Sequence, residues 1–583
     1  MAPTLETIDL PRAPAVIDRR AGVIAALAVA IALVVGVVAQ LLSGLIAIVT
    51  NVAFHQRFAR GEASPFDHQL GAGVVLVPVL GGVIVGVMAR YGSKAIRGHG
   101  IPEAMEQVLF NQSRIPWRMT FLKPLSAAIA IGTGGPFGAE GPIIATGGAL
   151  GSFVGQIVKV TADERKILLA AGAAAGMAAT FGSPVAAVLL AIELLLFEYR
   201  ARSMIAVALA ASAATAVRMA FVGSAPVFAL GSVLEPSSIA LTTYITIGAM
   251  LGVASVYVTR LVYAIEDGFE KLPIHWMWWP ALGGLAVGVI GYFVPRTLGV
   301  GYENIEETVR GELAVPALIV LCVAKLASWS IALGSGTSGG TLAPLFTIGG
   351  ALGALLTTLF AQAFPGHAID PRIGALVGMA AMFAGASRAL LASVVFAFEC
   401  TRQPIGLLPL LGGCAASYFV SALLMPSSIM TEKLVRRGLR VRSEYQVDYL
   451  DALLVADHAT RELVTLDASS TLEAARAVLA REHHQGFPVL DGAALLGVVT
   501  RRELLEPALP AGTRLRDIIK RAPIVVHPDS SLRDAADHMT AAGIGRVIVV
   551  AKDAPRTALG ILTRSDLLAA HAHRLHARGD RTA

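Results

Sequence analysis

Gly132–Gly151 reads GTGGPFGAEGPIIATGGALG, and Gly334–Gly353 reads GSGTSGGTLAPLFTIGGALG. Superimposed at an offset of 202 residues without a gap, they share Gly132/Gly334, Gly134/Gly336, Gly138/Gly340, Pro142/Pro344 and the run Gly147–Gly151/Gly349–Gly353. Moving outward, the same offset pairs Lys123 with Lys325, and Gly176-Met177-Ala178-Ala179 with Gly378-Met379-Ala380-Ala381. An offset of 201 pairs Gly98-His99-Gly100 with Gly299-Val300-Gly301. The chain therefore carries one plan twice. Glycine-broken segments at matching positions of two membrane halves point to an ion or substrate site near the bilayer midplane.

That the setting is a membrane follows from composition. The 583 residues are 55% hydrophobic and only 15% charged, against about 25% charged in a soluble domain. Residues 21–53, 70–90, 166–197, 237–259 and 373–399 are long apolar stretches, several of them beyond the ~20 residues that cross a bilayer as a helix. The net charge of +6 does not imply a nucleic-acid partner, because no basic helix alternates with aromatics; it fits the bias of membrane proteins toward cytoplasmic Lys and Arg. Arg12, Arg19 and Arg20 precede the first span, and Lys433, Arg436, Arg437, Arg440 and Arg442 follow the last. Both clusters place the ends in the cytoplasm, with an even number of crossings between them. The first span lacks a small-residue cleavage site and reads as retained. Cys322, Cys400 and Cys414 lie in apolar segments without metal-ligand spacing and read as packing residues, so no metal site is expected.

The expected organisation is a polar leader over 1–20, a membrane domain over 21–440 with halves at about 21–220 and 237–440, and a linker over 441–452. A soluble tail follows, with repeats at 453–510 and 511–575 and a terminal stretch at 576–583. The membrane domain reads as all-α, with about 17–18 helical pieces, many short or broken. Non-helical backbone at membrane depth survives only where protein or a water-filled cavity satisfies it, so the breaks should converge on a cavity. The repeat does not state its own handedness; an inverted relation is inferred from transporter architecture. The tail repeats too: Asp467–Ala475 before Gly497–Leu505, and His527–Ala536 before Gly560–Leu568, each copy a strand, a helix, two strands and a helix.

The chemistry sits at the breaks. In Gly138-Ala139-Glu140-Gly141-Pro142 the proline suits a first helical turn, and the free N–H groups at such a start, with the positive end of the helix dipole, make an anion site. Glu140 is itself an anion among those donors. It can occupy the site, and leave when protonated or displaced by a mobile anion, which makes it a candidate gate. The second copy, Gly340-Thr341-Leu342-Ala343-Pro344, has Leu342 where Glu140 stands, so the N–H groups of Thr341 and Leu342 are the best candidate anion ligands.

These elements resemble the CLC family of chloride channels and chloride/proton exchangers. Gly98-His99-Gly100-Ile101-Pro102 resembles the family's GSGIP, Gly138–Pro142 its G(K/R)EGP, and Gly340–Pro344 its GxFxP; Phe181–Glu193 resembles the helix after the gate. The likeness covers residues 20–440, and the tail resembles a tandem pair of CBS domains, an α/β module. It implies a homodimer in the lipid bilayer, each subunit with its own pathway for inorganic anions, and Glu140 as the gating glutamate. His99, Gly100, Ile101, Gly138, Ala139, Gly141, Thr341, Leu342 and Met430 would surround the anion, chloride being the ligand and no cofactor being required. The expected setting is the plasma (inner) membrane, crossed many times, with both termini cytoplasmic.

Four departures qualify the resemblance. The family's serine in the first motif is His99, which could donate to an anion and titrates near neutral pH, so pH-sensitive conduction is one expectation. The tyrosine that supplies a second hydroxyl aligns with Met430. The Lys or Arg beside the gate is Ala139. The inner proton-relay glutamate of exchangers is Leu194, which cannot bind a proton; this favours channel-like or uncoupled flux. The alternative is a chloride/proton antiporter using another inner path, through Glu193 or water. Lys123 and Lys325 either draw anions inward or bond backbone carbonyls at helix ends. Glu193 and Glu399 are either proton carriers or caps within the bundle.

A CBS pair implies an adenine nucleotide between its modules. Asp566 would hold ribose hydroxyls and Thr563 and Arg564 would contact phosphate, with Glu503 and Thr500 their counterparts in the first copy. An enzyme is not expected: no nucleophile–base pair, metal spacing or GKS/T phosphate loop is present. A cation transporter would need several intramembrane acids facing one cavity, and the chain has few.

Overall fold

The computed structural model describes Ile17 and residues 19–61, 63–439, 449–519 and 522–579. Most of the 1–20 leader, with Arg12, lies outside the described residues, as do Arg440, Arg442, most of the 441–452 linker and residues 580–583. The chain divides into two compact units, Val16–Ser443 and Glu444–Ala583.

The first unit holds seventeen α-helices among the described residues. The first eight are α1 Arg19–His55, α2 Leu76–Tyr91, α3 Ile101–Phe110, α4 Met119–Gly132, α5 Glu140–Ile157, α6 Ala162–Phe181, α7 Pro184–Ala191 and α8 Ala201–Val222. The next eight repeat them: α9 Ser238–Glu270, α10 Trp279–Phe293, α11 Tyr302–Arg310, α12 Val315–Gly334, α13 Leu342–Ala363, α14 Pro371–Ser387, α15 Leu390–Thr401 and α16 Leu407–Leu424. A short α17, Glu432–Arg436, ends the unit. Eight of the helical segments have 18 residues or more and are apolar enough to cross a bilayer; the short α3, α7 and α11 start at Gly100-Ile101, Pro184 and Gly301-Tyr302.

Reciprocal contacts show how the halves are related. The Glu193 carboxylate, just past α7, accepts from Leu391 N (2.9 Å) and Ala392 N (3.0 Å) at the start of α15. Glu399, at the end of α15, accepts from Val185 N (3.1 Å) and Ala186 N (2.9 Å) at the start of α7. Equivalent helices thus lie antiparallel and cap each other. Likewise a Cβ on Gly82 of α2 would fall 2.3 Å from the Pro280 carbonyl oxygen of α10, and one on Gly284 of α10 would fall 2.3 Å from that of Pro78 of α2. Contacts of the form i to j and j to i are the mark of a two-fold axis, and equivalent helices running in opposite directions make the repeat inverted.

The core is built by small residues. Leu169–Ala179 of α6 and Val377–Ala386 of α14 are almost fully buried. A Cβ on Gly147 of α5 would meet Gly172 O of α6 at 2.1 Å, and one on Gly353 of α13 would meet Gly374 O of α14 at 2.3 Å. Lipid supplies no hydrophobic drive between helices, so backbone approach at small residues provides the packing that holds them.

The second unit carries two three-stranded sheets. In the first, β1 Leu466–Asp467 runs parallel to β2 Gly486–Asp491, which pairs antiparallel with β3 Ala494–Thr500. In the second, β4 Val525–Val526, β5 Arg546–Val550 and β6 Ala558–Thr563 repeat the pattern. Helices Leu472–Leu479 and Leu532–Ala541 follow the first strand of each copy. A shared core of Leu495, Val525, Ile548 and Val550 joins the copies.

Candidate anion site between the two halves

Each glycine break ends in a helix start, and the structure brings four of these starts together. Gly138 and Gly340 form an antiparallel bridge in which each N–H reaches the other's carbonyl, at 3.4 and 3.0 Å. A Cβ on Gly141 would lie 2.9 Å from Gly340 Cα and 2.3 Å from the His99 carbonyl oxygen. A Cβ on Gly100 would lie 2.8 Å from Gly141 O, and Gly100 itself has φ +93°, open to glycine. The N-termini of α3, α5 and α13 therefore share one point. The start of α11 joins them through Tyr302, its first residue.

Glu140 fills that point. It is 1% exposed, and its Oε1 accepts from Ala343 N at 2.6 Å. The neighbouring Leu342 N–H lies close to the carboxylate as well. The Tyr302 hydroxyl donates to Oε2 at 3.4 Å. The carboxylate of one half thus sits on the helix start of the other, held by unpaired amides and the dipole end. The α13 donor to the carboxylate is thus Ala343, while Thr341 is the residue before the first turn and its carbonyl receives Leu345 N (3.2 Å). Neither Ala343 nor Tyr302 stands out in the sequence as a donor. The repeat contains a signal for the second, since the offset of 201 that pairs Gly100 with Gly301 sets Tyr302 on the position of Ile101.

The two buried lysines are tethers. Lys123 Nζ donates to Ile96 O and Gly98 O, both at 2.8 Å. Lys325 Nζ donates to Thr297 O (3.1 Å) and Gly299 O (3.0 Å). Each fastens the turn that precedes α3 or α11, which matches the carbonyl-bonding alternative. An ammonium with three donors suits a run of carbonyls no helix can satisfy.

Two cavities border the helix starts around the site. One of ≈ 200 Å³ is lined by Ser43–Thr50 residues of α1, Ser64–Phe66, Ala139 and Gly299–Glu303. Another of ≈ 530 Å³ is lined by His99, Arg97, Glu103, Tyr263, Glu266, Ile429 and Lys433. They use the C-terminal parts of α1 and α9 respectively, equivalent ends that an inverted repeat sets on opposite faces. His99 is 7% exposed and its Nδ1 has no hydrogen-bond partner among the described residues. Ile101 is buried at the start of α3. Met430 is fully buried beside Ile429, whose carbonyl takes the Tyr263 hydroxyl at 2.9 Å. Leu194 is buried in a π-helical turn, Ile192–Leu196, that closes α7.

In the tail, a cavity of ≈ 480 Å³ is lined by Val464, His483–Gly486, Arg546, Thr563 and Arg564. Arg546 Nη1 is buried there without a partner among the described residues. Asp566 accepts from Thr563 N (2.7 Å) and Oγ1 (2.8 Å), and Glu503 accepts from Thr500 N and Oγ1, both at 2.7 Å. Both acids therefore cap helices, and of these four only Thr563 lines the cavity.

Residues 81–422 match the family model for voltage-gated chloride channels, and residues 455–508 and 515–573 each match the CBS domain. The chain is 28% identical to "Chloride channel protein CLC-f" of Arabidopsis thaliana over 557 residues, covering 82% of this chain and 70% of that protein. It is 30% identical to "H(+)/Cl(-) exchange transporter ClcA" of Vibrio parahaemolyticus over 382 residues, covering 63% of this chain and 79% of that one. A crystal structure of a eukaryotic CLC transporter superimposes with a TM-score of 0.58 at 22% identity, covering 93% of this chain and 98% of that one.

Proposed function

Because the chain belongs to the voltage-gated chloride channel (CLC) family, we propose that it carries chloride passively across a membrane through a site that Glu140 closes. The observation that carries this reading is the 2.6 Å bond from the Ala343 N–H to Glu140 Oε1. A carboxylate is an anion, and it occupies donors that a free anion would use. Protonation removes its charge, and chloride competes for the same amides, so acid and high chloride both open the path. Gly100, Ile101, Gly138, Ala139, Gly141 and Leu342 supply the surrounding backbone, with His99 lining the larger cavity and Met430 buried behind Ile429.

Leu194 supports the uncoupled reading, because a leucine cannot relay protons. Glu193 and Glu399 are engaged as reciprocal caps, which supports a structural role for both. The second reading, a chloride/proton antiporter, is favoured by the name of the Vibrio relative. It would draw protons through water in the ≈ 530 Å³ cavity, where Glu103 and Glu266 stand. Purified protein in liposomes under a chloride gradient, with external pH recorded, separates the two. The expected result is anion efflux without proton movement in fixed ratio; a fixed ratio would establish the antiporter.

We further infer a homodimer in the plasma membrane with both termini cytoplasmic, and an adenine nucleotide in the tail. The unpartnered Arg546 Nη1 beside Arg564 and Thr563 supports phosphate binding there. Arg564→Ala in the full chain should weaken ATP binding, measured by calorimetry, about tenfold, the worth of one charge-assisted contact. Equal affinities would remove Arg564 from the site.

A further inference from the structure

We propose that Tyr302 is the latch of the gate: its hydroxyl holds the Glu140 carboxylate on the amides of α13 and so sets how readily the path opens. This rests on Glu140 being the gate, and it adds a positioning residue from the opposite half.

The geometry has three parts. First, the two carboxylate oxygens are held from different directions, Oε1 by Ala343 N at 2.6 Å and Oε2 by the Tyr302 hydroxyl at 3.4 Å. A carboxylate held at one oxygen pivots, whereas one held at both has a fixed plane. Second, the tyrosine ring is fixed in its turn. It packs edge-on against Phe181 at 5.7 Å and 75°, and against Phe228 at 6.0 Å, and Phe181 stacks edge-on against Phe396 at 4.9 Å. Offset and edge-to-face rings of this kind hold orientation as well as burying area. Third, Tyr302 and Ala139 both line the smaller cavity. Tyr302 therefore borders that space while its hydroxyl holds Glu140, and a carboxylate that swings off the α13 amides releases that hydroxyl.

Position in the repeat explains why a hydroxyl appears on one side alone. Tyr302 occupies in the second half the place that Ile101 occupies in the first. The first half carries the acid and has an apolar residue there; the second half lacks the acid and supplies its donor. The inverted pair is thus used asymmetrically, with acid and latch contributed by different halves.

Lys325 of α12 lies within electrostatic reach of Glu140 and is held by the Thr297 and Gly299 carbonyls. From α13 the Ala343 N–H faces the Glu140 carboxylate. A hydroxyl donating to the ionised carboxylate favours the charged, seated form over the protonated, released one.

Tyr302→Phe removes the hydroxyl and keeps the ring. At neutral pH anion flux into liposomes should rise about three- to tenfold, the range expected for one hydrogen bond to a charged group at a long distance. The pH of half-maximal flux should move up, and the chloride concentration of half-maximal flux should fall. In the Glu140→Ala background the same change should have no effect on flux or on either midpoint. Unchanged flux and midpoints in Tyr302→Phe would overturn the latch while leaving Glu140 as gate. An equal increase in both backgrounds would also overturn it, because the tyrosine would then act on the width of the path. If Glu140→Ala itself leaves flux and its pH dependence unchanged, the gate fails and the latch with it.

Discussion

Anion flux through Glu140→Ala should exceed that of the natural protein by about tenfold or more at neutral pH, and it should no longer depend on pH between 5 and 8. The size follows from tethering. A carboxylate on the same chain competes with chloride at a high effective concentration, and competition of that kind is worth orders of magnitude without any new contact. Removing it leaves the amides of Leu342 and Ala343 open to solution anions. The pH dependence disappears because the group that exchanges charge at the site is gone. Flux measured in liposomes with a chloride electrode decides the matter. A variant with unchanged flux would mean that Glu140 is a helix-start acid and nothing more.

The second large effect belongs to Gly340→Ala. A Cβ there would lie 2.6 Å from Gly138 O and 3.0 Å from Gly141 N. Both are backbone atoms of the other half, so neither can turn aside. The methyl group must push apart the two loops whose bridge sets the site, and overpacking of this sort costs about 1–3 kcal/mol. Flux should fall to background, with a lower melting temperature in detergent. Gly350→Ala is the control: in the helix that follows, its Cβ would meet its nearest neighbour at 3.6 Å, an ordinary contact. That variant should transport normally. Loss of function in both would assign the effect to helix α13 in general rather than to the junction of the halves.

Much of the site is legible in the sequence because glycine and proline breaks are local. Gly138–Pro142 and Gly340–Pro344 each announce a helix start, and the offset of 202 marks them as equivalents, so Glu140 and Leu342 stand out from spacing alone. What the pattern does not say is which atom meets which across 200 residues. That the Glu140 carboxylate lands on the Ala343 amide depends on where the first turn of α13 begins, after Thr341. The lysines have two readings in the sequence, and the choice depends on carbonyls of Ile96, Gly98, Thr297 and Gly299 that have no side-chain signature.

The pairing of Glu193 with Glu399 is hidden for another reason. Their offset is 206, not 202, because α14 runs to Ser387 whereas α6 ends at Phe181. Four extra residues amount to about one helical turn, which keeps the same face toward α16 and changes only the count. A repeat traced by fixed spacing loses its register there, although the two-fold relation persists in space.

The most direct measurement is anomalous diffraction from crystals of Glu140→Ala grown in bromide. The expected result is a bromide peak within hydrogen-bonding distance of the Leu342 and Ala343 N–H groups, where the Glu140 carboxylate sits in the natural protein. Bromide bound elsewhere along the path with that position empty, or helix starts of α5 and α13 that face away from each other, would contradict a shared anion site between the inverted halves.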